Sequence, residues 1–220
     1  MQVVLFDIDG TLLTSAGAGY RAFDAIFAKR FNIINVTKGF SAGGMTDDLI
    51  IGQLFGTALG RPPTDVELSQ IRGDYLLAFR EYYAQTPQIR IMPLAVEIVT
   101  QLSQKQNVSL GLATGNYKQT AYEKIKRLKI DQHFAYGGFG CDSASREALT
   151  AKALERAIEH IETTPTEVYV VGDTTRDIEC AKHIGAKVIA VATGAHSWET
   201  LAALKPDYLI RDFSEFPDLF

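Results

Sequence analysis

The 220-residue chain has only two cysteines, Cys141 and Cys180, three methionines and one tryptophan. Two cysteines cannot make a disulfide framework, and neither belongs to a CxxC pair, so both are expected to be small apolar core residues. There is no run of about 18 apolar residues, so no membrane span is predicted. There is also little excess charge: 22 Lys and Arg stand against 26 Asp and Glu, a formal net charge of −4. Without a basic surplus to neutralise phosphates, a dedicated nucleic-acid binder is not expected. The opening MQVVLFDIDG carries neither a basic region nor a small-residue cleavage site, so no secretory leader is expected and the expected location is cytoplasmic.

What is present is an ordinary globular composition, 46% hydrophobic and 22% charged. A chain of this length buries roughly 70% of its unfolded surface, so it needs no disulfide or metal to hold it together. Short, continuous apolar runs recur: Gln2 to Phe6, Val108 to Ala113, Val168 to Val171, Val188 to Ala192 and, more weakly, Tyr208 to Ile210. Such runs are the signature of strands buried on both faces. Helical spacing separates them. Pro93 to Lys105 places Leu94, Ile98 and Leu102 on one side, and Tyr117 to Leu128 does so with Ala121, Ile125 and Leu128. Glu147 to Ile161 carries Leu154, Ala157, Ile158 and Ile161, and Thr174 to Ile184 carries Ile178, Ala181 and Ile184 before a Gly185 stop. Strand alternating with helix predicts a parallel sheet with ligands bound beyond the carboxyl ends of its strands.

One segment breaks the alternation. From about Thr14 to Ile91 no convincing strand occurs, only helical patterns at Tyr20 to Phe31, Thr46 to Leu59 and Val66 to Tyr83, with Arg61-Pro62-Pro63 between the last two. It is too long for a loop, and it reads as an inserted helical unit joined through Ser15–Gly19 and Ala84–Pro93. The predicted fold class is α/β: a Rossmann-like parallel sheet core over 1–14 and 92–220, with an inserted α-helical cap domain over 15–91.

The chemistry-bearing residues fall at the strand ends. Asp7-Ile8-Asp9-Gly10-Thr11 puts two carboxylates directly after the first strand, with Gly10 signalling a turn. Gly172-Asp173-Thr174-Thr175-Arg176-Asp177 follows another strand, and its spacing of four brings Asp173 and Asp177 near one helix face. Asp173 alone could be a helix cap; beside the first motif it makes an oxygen-rich site suited to Mg²⁺. Thr114-Gly115-Asn116 ends a third strand, where a hydroxyl and amides can hold a phosphate, although the same triplet also makes a turn and cap. His133, His160, His183 and His196 show no ligand spacing and read as structural.

Together these motifs resemble the haloacid dehalogenase superfamily, in particular its small-helical-cap, phosphoglycolate phosphatase-like members, over nearly the whole chain. The resemblance implies a phosphatase in which Asp7 attacks phosphorus and forms an aspartyl-phosphate, and Asp9 protonates the leaving group and then activates water. It implies phosphate binding by Thr114, Gly115 and Asn116, and Mg²⁺ held by Asp7, Asp9 (through its backbone carbonyl) and Asp173, with Asp177 in support. The family's usual Lys-Pro before the metal aspartate is missing here. The region reads Cys141-Asp142-Ser143-Ala144-Ser145-Arg146, so Arg146 is the expected substitute cation and Lys152 its rival. Ser41–Asp47 is similar to the substrate-facing cap loop of those members, with Gly44, Thr46 and Asp47 as candidates; a plain turn capped by Thr46 or Asp47 is the other reading. The expected partner is a small-molecule phosphate ester, 2-phosphoglycolate being one, with no nucleic acid or membrane and a monomer or homodimer. A phosphomutase of the β-phosphoglucomutase type keeps every core motif and stays open. A non-enzymatic phospho-accepting receiver also combines strand-end aspartates with Mg²⁺, but has no place for the helical insertion.

Overall fold

A computed structural model describes residues 1–87 and 89–220. The chain runs β1 (Gln2–Phe6), β2 (Leu13–Thr14), α1 (Ala18–Phe31), α2 (Asp47–Leu59), α3 (Asp65–Ala84), β3 (Arg90–Ile91) and α4 (Ala95–Ser103). It continues through β4 (Val108–Ala113), α5 (Lys118–Lys126), β5 (Tyr136–Gly138), α6 (Arg146–Ile161), β6 (Glu167–Gly172), α7 (Thr175–His183), β7 (Lys187–Val191), α8 (Trp198–Ala203) and β8 (Tyr208–Ile210).

Six strands form a parallel sheet in the order β5-β4-β1-β6-β7-β8. β1 lies in the middle, with Phe6 opposite Leu112 of β4 on one side and Val171 of β6 on the other. Residues that follow these three strands therefore emerge side by side. Apolar clusters cover both faces of the sheet: Phe6, Leu112 and Val171 pack with Val99 and Ile125, and Leu5, Val170 and Val188 pack with Ala153 and Ile178. Burial on two faces explains why the strands are apolar throughout rather than alternating. The fold is the expected α/β Rossmann-like arrangement.

The helices α1, α2 and α3 carry a separate apolar core in which Phe23 stacks on Tyr75, their ring centroids 4.3 Å apart. Thr64 opens α3 with a capping box closed by Glu67. The short strands β2 and β3 pair antiparallel at the two ends of this helical segment, so its entry and exit are tied together. The connection Ala84–Pro93 includes Gln88, which lies outside the described residues.

Several details differ from the sequence reading. Cys180 is buried but Cys141 is exposed, because it falls in the turn after β5 rather than on an element facing the core. Pro93 stands before α4, which begins at Ala95 after a left-handed Leu94, so Ala95, Val99 and Leu102 point inward and Leu94 outward. In α6 the inward face is Leu149, Ala153 and Ala157, while Ile158 is exposed. No described helix is long and apolar enough to cross a membrane.

Candidate active site

Asp7 is the first residue beyond β1, and its amide donates to the Val171 carbonyl at 2.9 Å. The chain then turns sharply: the amides of Thr11, Leu12 and Leu13 all reach back to the Ile8 carbonyl. Gly10 adopts φ +85°, and a Cβ there would stand 2.4 Å from Asp173 Oδ2. After β7, Gly194 approaches still closer, a Cβ falling 1.8 Å from the same oxygen. Two glycines thus leave room for the Asp173 carboxylate, which accepts from Thr11 Oγ1 at 3.0 Å and the Ala195 amide at 2.8 Å. Thr174, not Asp173, caps α7: it shares a capping box with Asp177, whose Oδ2 accepts from the Thr174 amide at 3.0 Å and hydroxyl at 2.6 Å. Asp173 is thereby free of capping duty.

Carboxylate oxygens of Asp7, Asp173 and Asp177 lie within 4.8 Å of one another, all buried. Burial, with the charges of Asp177 and Asp7, pushes the Asp173 carboxyl well above the ordinary carboxylate range. Asp7 is pushed up to about 6, mainly by burial and further by Asp177 and Asp9, against the pull of Arg146. A cluster of this kind, all oxygen and electrostatically frustrated, fits a hard divalent cation. The glycine cradle around Asp173 supports that fit, because the carboxylate is held without being crowded.

Arg146, the first residue of α6, extends into this cluster. Its Nη2 lies 3.0 Å from Asp7 Oδ1 and 2.5 Å from Asp177 Oδ1, and it also donates to the Ala113 carbonyl at 3.3 Å. Burial works against its charge, but Asp7 and Asp177 hold its pKa above the ordinary value, so it remains a cation. Its Nε is buried without a partner among the described residues. Lys152, the rival from the sequence, points outward and pairs with Glu155.

Thr114 is buried, and its Oγ1 accepts from Asn116 Nδ2 at 2.7 Å. Asn116 Nδ2 also reaches Asp9 Oδ2 at 2.7 Å, while its Oδ1 accepts from Lys124 Nζ at 2.6 Å. Lys124 in turn lies 2.5 Å from Asp9 Oδ2. This lysine was not among the residues expected from the sequence. The signal for it was a charge inside the apolar stripe Ala121–Lys124–Ile125 of α5, continued by Leu128 just beyond the helix, all four of which are buried.

The helical segment closes over these groups. The Asp47 amide donates to the Gly115 carbonyl at 2.9 Å, and the Tyr117 amide donates to Asp47 Oδ2 at 2.7 Å. Gly115 has no room for a side chain, since a Cβ would stand 2.2 Å from the Met45 carbonyl oxygen. Thr46 is the α2 cap and donates to the Ala144 carbonyl at 3.1 Å. Gly44 and Asp47 line a half-open cavity of about 470 Å³, as do Asp7, Asp9, Thr114, Gly115, Asn116, Lys124, Arg146 and Asp173. Thr46 and Asp177 do not line it.

Fold and cleft together describe an α/β enzyme whose carboxylate-rich strand ends lie beneath a helical insertion. The chain belongs to the haloacid dehalogenase-like hydrolase family, whose model matches residues 4–191. Over its whole length it is 26% identical to a phosphoglycolate phosphatase of Vibrio vulnificus, covering 96% of that protein. It is 24% identical to the pyrophosphatase PpaX of Bacillus mycoides, over 98% of this chain and 94% of the relative. The fold also matches a hydrolase from Pseudomonas syringae, with TM-score 0.71, 21% identity, and 96% and 94% of the two chains covered. It matches CbbY from Rhodobacter sphaeroides in complex with phosphate, with TM-score 0.73, 18% identity, and 97% and 95% covered.

Proposed function

We propose that this protein is a Mg²⁺-dependent phosphatase of small phosphate monoesters that works through an aspartyl-phosphate on Asp7. The relatives named phosphoglycolate phosphatase make 2-phosphoglycolate the first substrate to try. In this reading residues 15–91 are a cap over a core formed by 1–14 and 92–220. The observation that carries it is the Asp7 carboxylate, 3.0 Å from the Arg146 guanidinium in a cavity beneath the helical segment, with Asp9 close by on the same turn.

The chemistry follows from charge. A carboxylate approaching a phosphate monoester is one anion approaching another, so fixed positive charge must offset the repulsion. Asp7, Asp173 and the Asp9 backbone carbonyl would hold Mg²⁺, with Asp177 in support, and the ion supplies that neutralisation when bound. Arg146 holds Asp7 in place and adds a second cation. Asp7 attacks phosphorus; the Asp7 oxygen–phosphorus bond forms as the bond to the leaving oxygen breaks, and Asp9 gives that oxygen its proton. Water then attacks phosphorus and surrenders a proton to the Asp9 carboxylate, and Asp7 departs unchanged. The Thr114 hydroxyl and the Gly115 amide would hold phosphoryl oxygens, since the next two amides already donate to Thr114 Oγ1 and to Asp47. Closure of the helices over the cavity favours a small substrate over a phosphoprotein.

The test is turnover with p-nitrophenyl phosphate and MgCl₂, combined with acid trapping of labelled enzyme. The wild type is expected to release phosphate continuously and to trap label. Asp7→Asn is expected to lose both; residual activity within about tenfold of wild type would remove Asp7 as nucleophile. A single equivalent of p-nitrophenolate followed by arrest, with the phosphoryl group retained on the protein, would identify a receiver instead.

A further inference from the structure

We propose that Lys124 is a positioning residue for Asp9, holding one carboxylate oxygen so that the other is free to exchange a proton with the leaving group and with water. The proposal rests on the phosphatase reading above, and it assigns a role to a side chain which that reading leaves unused.

A lysine only 3% exposed is unusual and must be paired to be tolerated. Lys124 is paired on three sides. Its Nζ donates to Asp9 Oδ2 at 2.5 Å and to Asn116 Oδ1 at 2.6 Å, and lies 5.3 Å from the centre of the Phe79 ring of α3. Asn116 Nδ2 donates to the same Asp9 oxygen at 2.7 Å. Oδ2 of Asp9 is therefore gripped by two donors, whereas no donor among the described residues reaches Oδ1. The Asp9 side chain is 43% exposed, so the ungripped oxygen belongs to a group open to the cavity.

The consequence is a division of labour between the two oxygens. A proton carried by Asp9 resides on Oδ1, because Oδ2 already faces an ammonium and an amide N–H. From Oδ1 it passes to the leaving oxygen as the phosphorus–oxygen bond breaks, and Oδ1 takes a proton back from the attacking water. Lys124 also joins the helical segment to the site: besides the Phe79 contact, the Tyr83 hydroxyl donates to the Lys124 backbone carbonyl at 3.3 Å. Two α3 residues thus brace the helix turn that presents the ammonium.

The test is kcat/KM over a leaving-group series, because that ratio stops at phosphoenzyme formation and so isolates proton delivery to the leaving oxygen. p-Nitrophenyl phosphate releases a stable anion and needs little protonation, whereas phenyl and alkyl phosphates need it increasingly. Lys124→Met is expected to lose about 100-fold on alkyl phosphates and under about tenfold on p-nitrophenyl phosphate. Asp9→Asn is expected to show the same slope, and the double variant to be no worse than Asp9→Asn alone. If Lys124→Met does not fold by circular dichroism, Lys124→Gln decides by the same slope. A uniform loss across the series, a rise in KM alone, or additive losses in the double variant overturn the assignment while the phosphatase reading stands. No turnover of any ester by the wild type removes that reading and this assignment with it.

Discussion

The Arg146 guanidinium lies 3.0 Å from the Asp7 carboxylate, and the same nitrogen is 2.5 Å from Asp177. One buried cation therefore spans the proposed nucleophile and a supporting carboxylate. Lys152, six residues further along α6, is instead paired with Glu155 at the surface. Arg146→Ala is expected to lower kcat/KM by at least about 100-fold, and Lys152→Ala to leave it within about twofold. Arg146→Ala also leaves buried carboxylates uncompensated, which typically costs about 3 kcal/mol or more; denaturant unfolding of the two variants checks this. Arg146→Lys is expected to recover only part of the activity, since it keeps the charge but its ammonium ends one atom short of the Nη2 position that meets both carboxylates. Equal losses in the two alanine variants would overturn the cation assignment.

The acidic cluster makes a second prediction, about stability. Asp173 is raised far above its ordinary range by burial and by Asp177 and Asp7, so in the metal-free protein its charge is unwelcome. A divalent cation that binds the folded state alone adds about 2.7 kcal/mol at 100 times its Kd. MgCl₂ is expected to raise the wild-type Tm by several degrees, and EDTA to reverse the gain. Asp173→Asn is expected to show little response to Mg²⁺ but to melt no lower than the wild type in EDTA, because a buried like charge has been removed. A Mg²⁺ response in Asp173→Asn equal to that of the wild type counts against the cluster as the cation site.

How much of this was legible in the sequence depended on burial and element length. The strands β1, β4, β6, β7 and β8 are written as unbroken apolar runs because both of their faces are covered. Residues following three adjacent strands had to converge, which is why Asp7, Thr114 and Asp173 could be named from the sequence. The edge strand β5 was missed because its three residues, Tyr136-Gly137-Gly138, carry no apolar run. Its glycines answer tertiary neighbours: a Cβ on Gly138 would fall 1.8 Å from the Leu149 carbonyl oxygen. β2 and β3 have two residues each and exist only as partners. Lys124 was hidden for a different reason, since a lysine in a helix is ordinarily a solvated residue and only its place in the apolar stripe marks it as buried.

Asp47 yields the last prediction, a dependence of stability on pH. It is the first residue of α2, its carboxylate buried against the loop before α5, where the Tyr117 amide donates to it at 2.7 Å. Burial pushes its pKa from an ordinary 3.8 up to about 7, with Asp9 and Asp48 adding and Lys124 and the Tyr117 amide opposing. Between these values the folded protein holds a proton at Asp47 that the unfolded chain has released. Stability from this group is therefore complete below about pH 3.8 and is lost as the pH rises to about 7, above which the loss is constant. The interval caps the effect near about 4 kcal/mol, and relaxation of the buried group reduces it. Asp47→Asn keeps an acceptor for the Tyr117 amide but cannot ionise. Thermal melts from pH 5 to 8, with Mg²⁺ saturating so that the Asp173 cluster stays neutralised, are expected to show the variant gaining on the wild type as pH rises, with the gap levelling above pH 7. Parallel curves would mean that Asp47 ionises in the folded state as readily as in the unfolded chain, and that its burial beneath α2 is relieved in solution.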